Sequence, residues 1–252
     1  MNGEAPTAGR RALAFGAAVG GYIIGSFPSA ELAQKLSGDR IDLRREGSGN
    51  PGATNVDKLL GHRWGAAVLV ADVAKGSLAT QMGARLAGDL GANLAGTSAV
   101  LGHCFRRLGT RRGGKGVATR YGQLLVTEPR YVVVDFLVAF GVGRLTKRGA
   151  IALSAAFAAS MATALSGLGR RDRILGLGRV SATTSVATLA SGGIVLVRFF
   201  QERGRPDELR PVQQGLGRAM RGVAEAIFHS RRGERSPSDP VSSTASGGSP
   251  SS

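Results

Sequence analysis

Three stretches without a single charged side chain decide most of what this 252-residue chain can become. They are residues 12–30 (ALAFGAAVGGYIIGSFPSA), 149–169 (GAIALSAAFAASMATALSGLG) and 180–197 (VSATTSVATLASGGIVLV). A helix that crosses a bilayer needs roughly 17–25 mainly apolar residues, and each run is long enough. A buried helix of a soluble protein is usually shorter and keeps a charged face. Further apolar segments lie at 64–85, 90–105, 117–127 and 131–145. Together they predict an all-α integral membrane protein, a polytopic bundle of about seven transmembrane helices with cytoplasmic glycine-rich loops. The 117–145 region holds one helix or two. Gly, Ala, Ser and Thr are abundant, which permits close helix packing where lipid supplies no hydrophobic drive.

Charge is distributed around these runs. Lys and Arg number 33 against 17 Asp and Glu, a net charge of +16. The mean hydropathy is near zero and separates nothing by itself. Short loops rich in Lys and Arg stay in the cytoplasm, which places the connections at 31–63 and 106–120 on that side and the N-terminus outside. The expected organisation is a short lead (1–11), a transmembrane domain (12–200), a basic juxtamembrane segment (201–235) and a Ser/Pro/Gly-rich tail (236–252). Residues 212–229 carry some helical periodicity, and the tail is too poor in apolar residues to order itself. The first run has no clear small-residue cleavage site and is retained as a helix. The single cysteine, Cys104, rules out an intramolecular disulfide. Nucleic-acid binding does not fit, because the basic residues flank apolar helices without interleaved aromatics.

Two loops carry the chemistry. The first is Gly47-Ser48-Gly49-Asn50-Pro51-Gly52-Ala53-Thr54-Asn55. Glycines let backbone N–H groups converge on an anion, and Ser48, Asn50, Thr54 and Asn55 add short polar groups for phosphate or glycerol oxygens. Lys58 and Arg63 follow as cationic partners. The second is Gly113-Gly114-Lys115-Gly116-Val117-Ala118-Thr119. From Gly109 it nearly matches G-x-x-x-x-G-K, but Gly116 stands where a nucleotide-binding loop needs a hydroxyl for magnesium. What survives is a backbone able to approach phosphate, Lys115 as a point charge, and a helix N-terminus near Val117. Asp72 and Lys75 share a helix face as either a structural ion pair or part of a site. His103 and Cys104 point about 100° apart, which disfavours a dyad. Asp135 is isolated and reads as a helix end. No His has an Asp five positions on, and no metal-ligand cluster is visible.

These pieces resemble the bacterial acyl-phosphate:glycerol-3-phosphate acyltransferase family of the PlsY type. The likeness rests on Gly25-Ser26-Phe27-Pro28, 47–55 with Leu60-Gly61, Asp72 with Lys75-Gly76, Leu101-Gly102-His103, and 113–119. It implies a multi-pass bacterial membrane enzyme without metal or nucleotide cofactor, its basic loops and tail cytoplasmic. Such an enzyme moves a fatty acyl group from acyl phosphate to the 1-hydroxyl of sn-glycerol 3-phosphate. The small-molecule substrates and membrane lipid are then its partners, and it is expected as a monomer. The resemblance implies Ser48, Lys58 and Lys115 as catalytic residues. It implies Asn50, Gly52, Thr54, Asn55, His103, Gly113, Gly114, Gly116 and Thr119 as substrate-binding residues.

The chain departs from the family at three places. Lys58 replaces an Arg, Arg106-Arg107-Leu108 replaces an aromatic/Pro stretch, and Arg198 is followed by Phe199-Phe200-Gln201-Glu202 instead of His-x-x-Asn. Two other readings remain open: a non-catalytic relative that binds phosphorylated lipid precursors, and a transporter for a phosphorylated anion.

Overall fold

A computed structural model describes residues 7–106, 111–146, 149–168 and 181–203. The 201–235 segment beyond Arg203, the periodic stretch at 212–229 and the 236–252 tail lie outside the described residues.

Among the described residues the regular structure is helical apart from one ribbon of two residues a side, and the loops, including 38–52 and 113–116, carry neither. Its helices are α1 (Ala8–Gly25), α2 (Ser29–Ser37), α3 (Ala53–Leu60), α4 (His62–Cys104), α5 (Val117–Thr127), α6 (Pro129–Thr146), α7 (Gly149–Leu168) and α8 (Ala182–Arg203). The expected boundaries need four corrections. Thr7 caps α1 by accepting from Arg10 N at 3.4 Å, so Arg10 and Arg11 lie inside the helix and not in a lead. The first run stops at Gly25, because Pro28 cannot continue a helix and starts α2. The 31–63 connection contains α2 and α3. At its end, α8 runs past residue 200 to Arg203. The 117–145 region holds two helices, divided at Glu128 before Pro129. Asp135 is buried within α6 and does not end a helix.

Helix α4 is two helices in one. Ala87 (φ −143°, ψ 22°) and Gly88 (φ 64°, ψ −144°) break it into limbs at 62–86 and 89–104. The limbs fold back on each other, since a Cβ on Gly83 would strike Gly91 O and one on Gly96 would strike Thr80 Oγ1. Lys75 therefore comes level with His103, with Nζ to Nδ1 at 3.5 Å. Arg10 Nε donates to Ala87 O at the turn. Asp89, just past it, accepts from Ser181, Thr183 and Thr184 at the start of α8.

Backbone-to-backbone packing dominates the interior. Cβ atoms on Gly21 and Gly25 would land on Ala95 O and Ala99 O, pressing α1 onto the second limb. Gly76 and Gly122 do the same between the first limb and α5. The buried apolar residues are largely alanines, accompanied by buried Thr80, Gln123, Ser160, Ser185 and Ser191. Large apolar side chains face outward instead: Phe15 is 72% exposed, Phe136 69% and Leu145 86%. Two helical stretches, Ala8–Ser37 and Ala182–Gln201, are long and apolar enough to cross a membrane.

Candidate functional site

The site assembles where α1 ends, the two limbs of α4 reach His103 and Lys75, and both loops arrive. Lys75 is its anchor. Its ammonium contacts Asp72 Oδ1 at 2.7 Å and donates to Phe27 O at 2.9 Å and Ser29 Oγ at 3.2 Å. Ser29 in turn donates to Asp72 Oδ1 at 2.5 Å. All three ammonium donors are spent inside the protein. The pair thus pins the 27–29 corner to the first limb, as the ion-pair reading of Asp72 and Lys75 expects. His103 closes the group, its Nδ1 3.7 Å from Asp72 Oδ1. Cys104, one residue on, packs with Val100 and Val195.

The second loop is seated on this anchor. The chain leaves the second limb as β1 (Phe105–Arg106), which pairs antiparallel with β2 (Arg111–Arg112). This ribbon is the one departure from the expected all-α fold, and it returns the chain so that Gly113 N donates to Cys104 O at 2.9 Å. A Cβ on Gly114 would strike His103 Nε2 and sit 3.2 Å from Pro51 O. Gly116 has φ +83° and precedes α5, a left-handed conformation that L side chains rarely adopt. Helix α5 begins at Val117, where the sequence places it. Buried Thr119 lies in its first turn, and its hydroxyl has no partner among the described residues.

Arg198 of α8 clamps the loop from below. Its Nη2 donates to Gly113 O at 2.9 Å, its Nε to Gly114 O at 3.4 Å and its Nη1 to Gln201 Oε1 at 3.2 Å. It is 1% exposed. The neighbouring Phe199 ring lies under Lys115, with Nζ 4.6 Å from the centroid.

The first loop is braced by Asn55. Its Oδ1 accepts from Ser48 N at 2.8 Å, while Nδ2 donates to Leu43 O at 3.1 Å and Glu46 O at 3.2 Å. Buried Asn55 therefore shapes the loop through both ends of its amide. Gly52 caps α3 and accepts from Asn55 N and Val56 N. Asn50 is half-buried, and its Oδ1 lacks a donor among the described residues. Ser48, Thr54 and Lys58 are exposed. The structure thus brings Asn50, His103, Gly113, Gly114, Gly116 and Thr119 toward one region through the Pro51–Gly114–His103 contact. Ser48, Thr54 and Lys58 remain on the rim.

Sequence reasoning passed over several residues here. Arg198 was legible only as the start of a segment whose following residues depart from a family pattern, although a lone charge closing an apolar run is itself a signal. Ser29 gave no signal. Glu31, Arg44 and Arg106 lie far apart in sequence, yet Glu31 Oε1 accepts from both Arg44 Nη2 and Arg106 Nη1 at 2.7 Å.

Comparison with known proteins agrees with this geometry. A family model described as glycerol-3-phosphate acyltransferase matches residues 15–205. A glycerol-3-phosphate acyltransferase of Exiguobacterium sibiricum is 40% identical over 134 residues, covering 52% of this chain and 65% of the relative. One from Desulforudis audaxviator is 40% identical over 159 residues, covering 62% and 79%. The chain thus spans about 65% of the length of relatives such as that of Exiguobacterium sibiricum. Among solved structures, the glycerol 3-phosphate form of PlsY, an integral membrane glycerol 3-phosphate acyltransferase, superposes with a TM-score of 0.62 at 24% identity. That match covers 85% of this chain and 98% of the other, and it speaks for the fold. With its model matched across both loops and the α8 clamp, this chain belongs to the glycerol-3-phosphate acyltransferase family.

Proposed function

We propose that the protein transfers an acyl group from acyl phosphate to the 1-hydroxyl of sn-glycerol 3-phosphate, releasing lysophosphatidate and phosphate. One observation carries the reading: two glycine-rich loops some sixty residues apart meet at Pro51, Gly114 and His103, beside Lys115 and above Arg198. Both substrates carry phosphate, and backbone amides with fixed cations suit two phosphoryl groups held side by side. The relatives of Exiguobacterium sibiricum and Desulforudis audaxviator are named glycerol-3-phosphate acyltransferases.

In this reaction the acceptor hydroxyl attacks the acyl carbonyl carbon, the bond from that carbon to the phosphate oxygen breaks, and the hydroxyl proton leaves on phosphate. The donor is already activated, so positioning and charge neutralisation carry the catalysis. Asn50 Oδ1, a buried acceptor awaiting a donor, suits a glycerol hydroxyl. Gly113, Gly114 and Gly116 form the cradle, and Lys115 neutralises phosphate or the developing oxyanion. Ser48, Thr54 and Lys58 act from the rim, and Thr119 and His103 support the cradle from within. Asn55 acts by holding the first loop in shape.

A membrane setting follows from the inverted packing. Small and polar residues lie inside, and Phe and Leu face out from α1, α6 and α8, as in a bundle solvated by lipid. The seven apolar helical segments are the two limbs of α4 with α1, α5, α6, α7 and α8. They fit a multi-pass bundle in a bacterial cell membrane, with its basic loops cytoplasmic, working as a monomer. The acyl tail then lies among the helices while both head groups meet at the loops.

The test is direct. Purified protein in detergent receives radiolabelled glycerol 3-phosphate and acyl phosphate, and label is counted in extracted lysophosphatidate. Binding of glycerol 3-phosphate without product refutes the catalytic reading.

A further inference from the structure

Arg106 is nearly buried, at 5% exposure, and spends only part of its guanidinium. Nη1 donates to Glu31 Oε1 at 2.7 Å, while Nε and Nη2 are buried without a partner among the described residues. Glu31 Oε2 is likewise buried and unpartnered. Leaving charged donors dry and unpaired is costly, so such groups ordinarily meet a counter-ion or ligand. Glu31 Oε1 already accepts from Arg44 Nη2, so two guanidiniums share this one oxygen. Asp72 is occupied by Lys75 and Ser29. The cluster lies beside the anchor, where the charges of Arg106 and Glu31 are felt at Lys75 and His103.

We propose that Arg106, held in place by Glu31, is a further phosphoryl-binding residue whose free edge, Nε with Nη2, grips two oxygens of a phosphate dianion. A guanidinium presents these donors in a planar fork that matches phosphate, which a lysine cannot do. Glu31 Oε2 is left to accept from a hydroxyl of the same ligand or from a protonated phosphate oxygen. The residue stands where the family's aromatic/Pro stretch is replaced, so the subsite belongs to this chain's own departure. It rests on the acyl-transfer reading for the source of the phosphate, which is either the acceptor or the acyl phosphate donor.

The experiment compares wild type, Arg106→Ala and Arg106→Lys as full-length proteins in detergent. KM is measured separately for glycerol 3-phosphate and acyl phosphate, and calorimetry follows binding of glycerol 3-phosphate and of inorganic phosphate. Arg106→Ala is expected to raise one KM roughly ten- to a hundredfold with kcat nearly kept, and Arg106→Lys to recover part of it. The KM that moves names the source. Should Arg106→Ala fail to fold, Arg106→Gln keeps a donor for Glu31 and serves in its place. Unchanged KM values and phosphate affinity in a folded variant overturn the proposal, as does an equal thermal destabilisation of Ala and Lys variants with normal KM. A wild type that binds but makes no product defeats the acyl-transfer reading alone, and calorimetry still decides on Arg106.

Discussion

Replacing Arg198 by Ala is the sharpest perturbation of the site, because that side chain holds the second loop by two of its carbonyls. The Nη2–Gly113 O bond at 2.9 Å is full strength, while Nε–Gly114 O at 3.4 Å is weaker. Hydrogen bonds to charged groups are worth about 1.5–3 kcal/mol, so the pair is worth about 3–4 kcal/mol. Their loss leaves two acceptors beneath the loop without the donor that now serves them. For a chain of this size each kcal/mol lowers the melting temperature by about 2–4 °C, so a fall of about 6–16 °C is expected. Released from below, the loop no longer holds its amides in register, and KM for glycerol 3-phosphate rises at least about tenfold. Arg198→Lys restores one donor and recovers part of both effects. Thermal unfolding in detergent and steady-state kinetics read the two consequences separately. A folded Arg198→Ala protein with unchanged melting temperature and KM refutes the clamp.

Other outcomes follow from the same geometry. Lys115→Ala is expected to lower kcat/KM about ten- to a hundredfold through loss of a charge-assisted contact of about 1.5–3 kcal/mol, and unchanged transfer removes Lys115 from the mechanism. Breaking the buried pair by Lys75→Met is expected to cost about 3–5 kcal/mol, and pairing it with Asp72→Asn to recover most of that in thermal unfolding. Gly114→Ala forces a methyl against His103 Nε2, so it is expected to destabilise by about 1–3 kcal/mol and abolish product formation in the label assay. Asn55→Ala removes three bonds from the first loop, and faster proteolysis near residues 47–55 is the expected readout.

Much of the architecture was legible because charge-free runs and glycine-rich breaks leave a chain few choices. The split near 85–90 was readable from the gap between two apolar segments, and Gly88 with its positive φ supplies the turn. The start of α5 at Val117 followed from the loop glycines. What stayed hidden depends on partners distant in sequence. Nothing local tells that Asn55 braces a loop and is fully engaged, or that Lys75 divides its donors between Asp72 and the 27–29 corner. Pro28 was in view, yet its power to end α1 early was outweighed by the apolar run around it. The β1–β2 ribbon joins only two residues a side, too short for alternation to register.

The glycine seams have a consequence for how substrate enters. Where Gly21, Gly25 and Gly102 bring α1 against the second limb with no room for a methyl, those helices cannot slide without collision. On the acyl-transfer reading, admission of a lipid tail then falls to the loops and the outer helices, while the inner pair serves as a fixed wall. Adding one carbon at Gly25, the last residue of α1, would tilt that wall and shift the 27–29 corner that Lys75 holds.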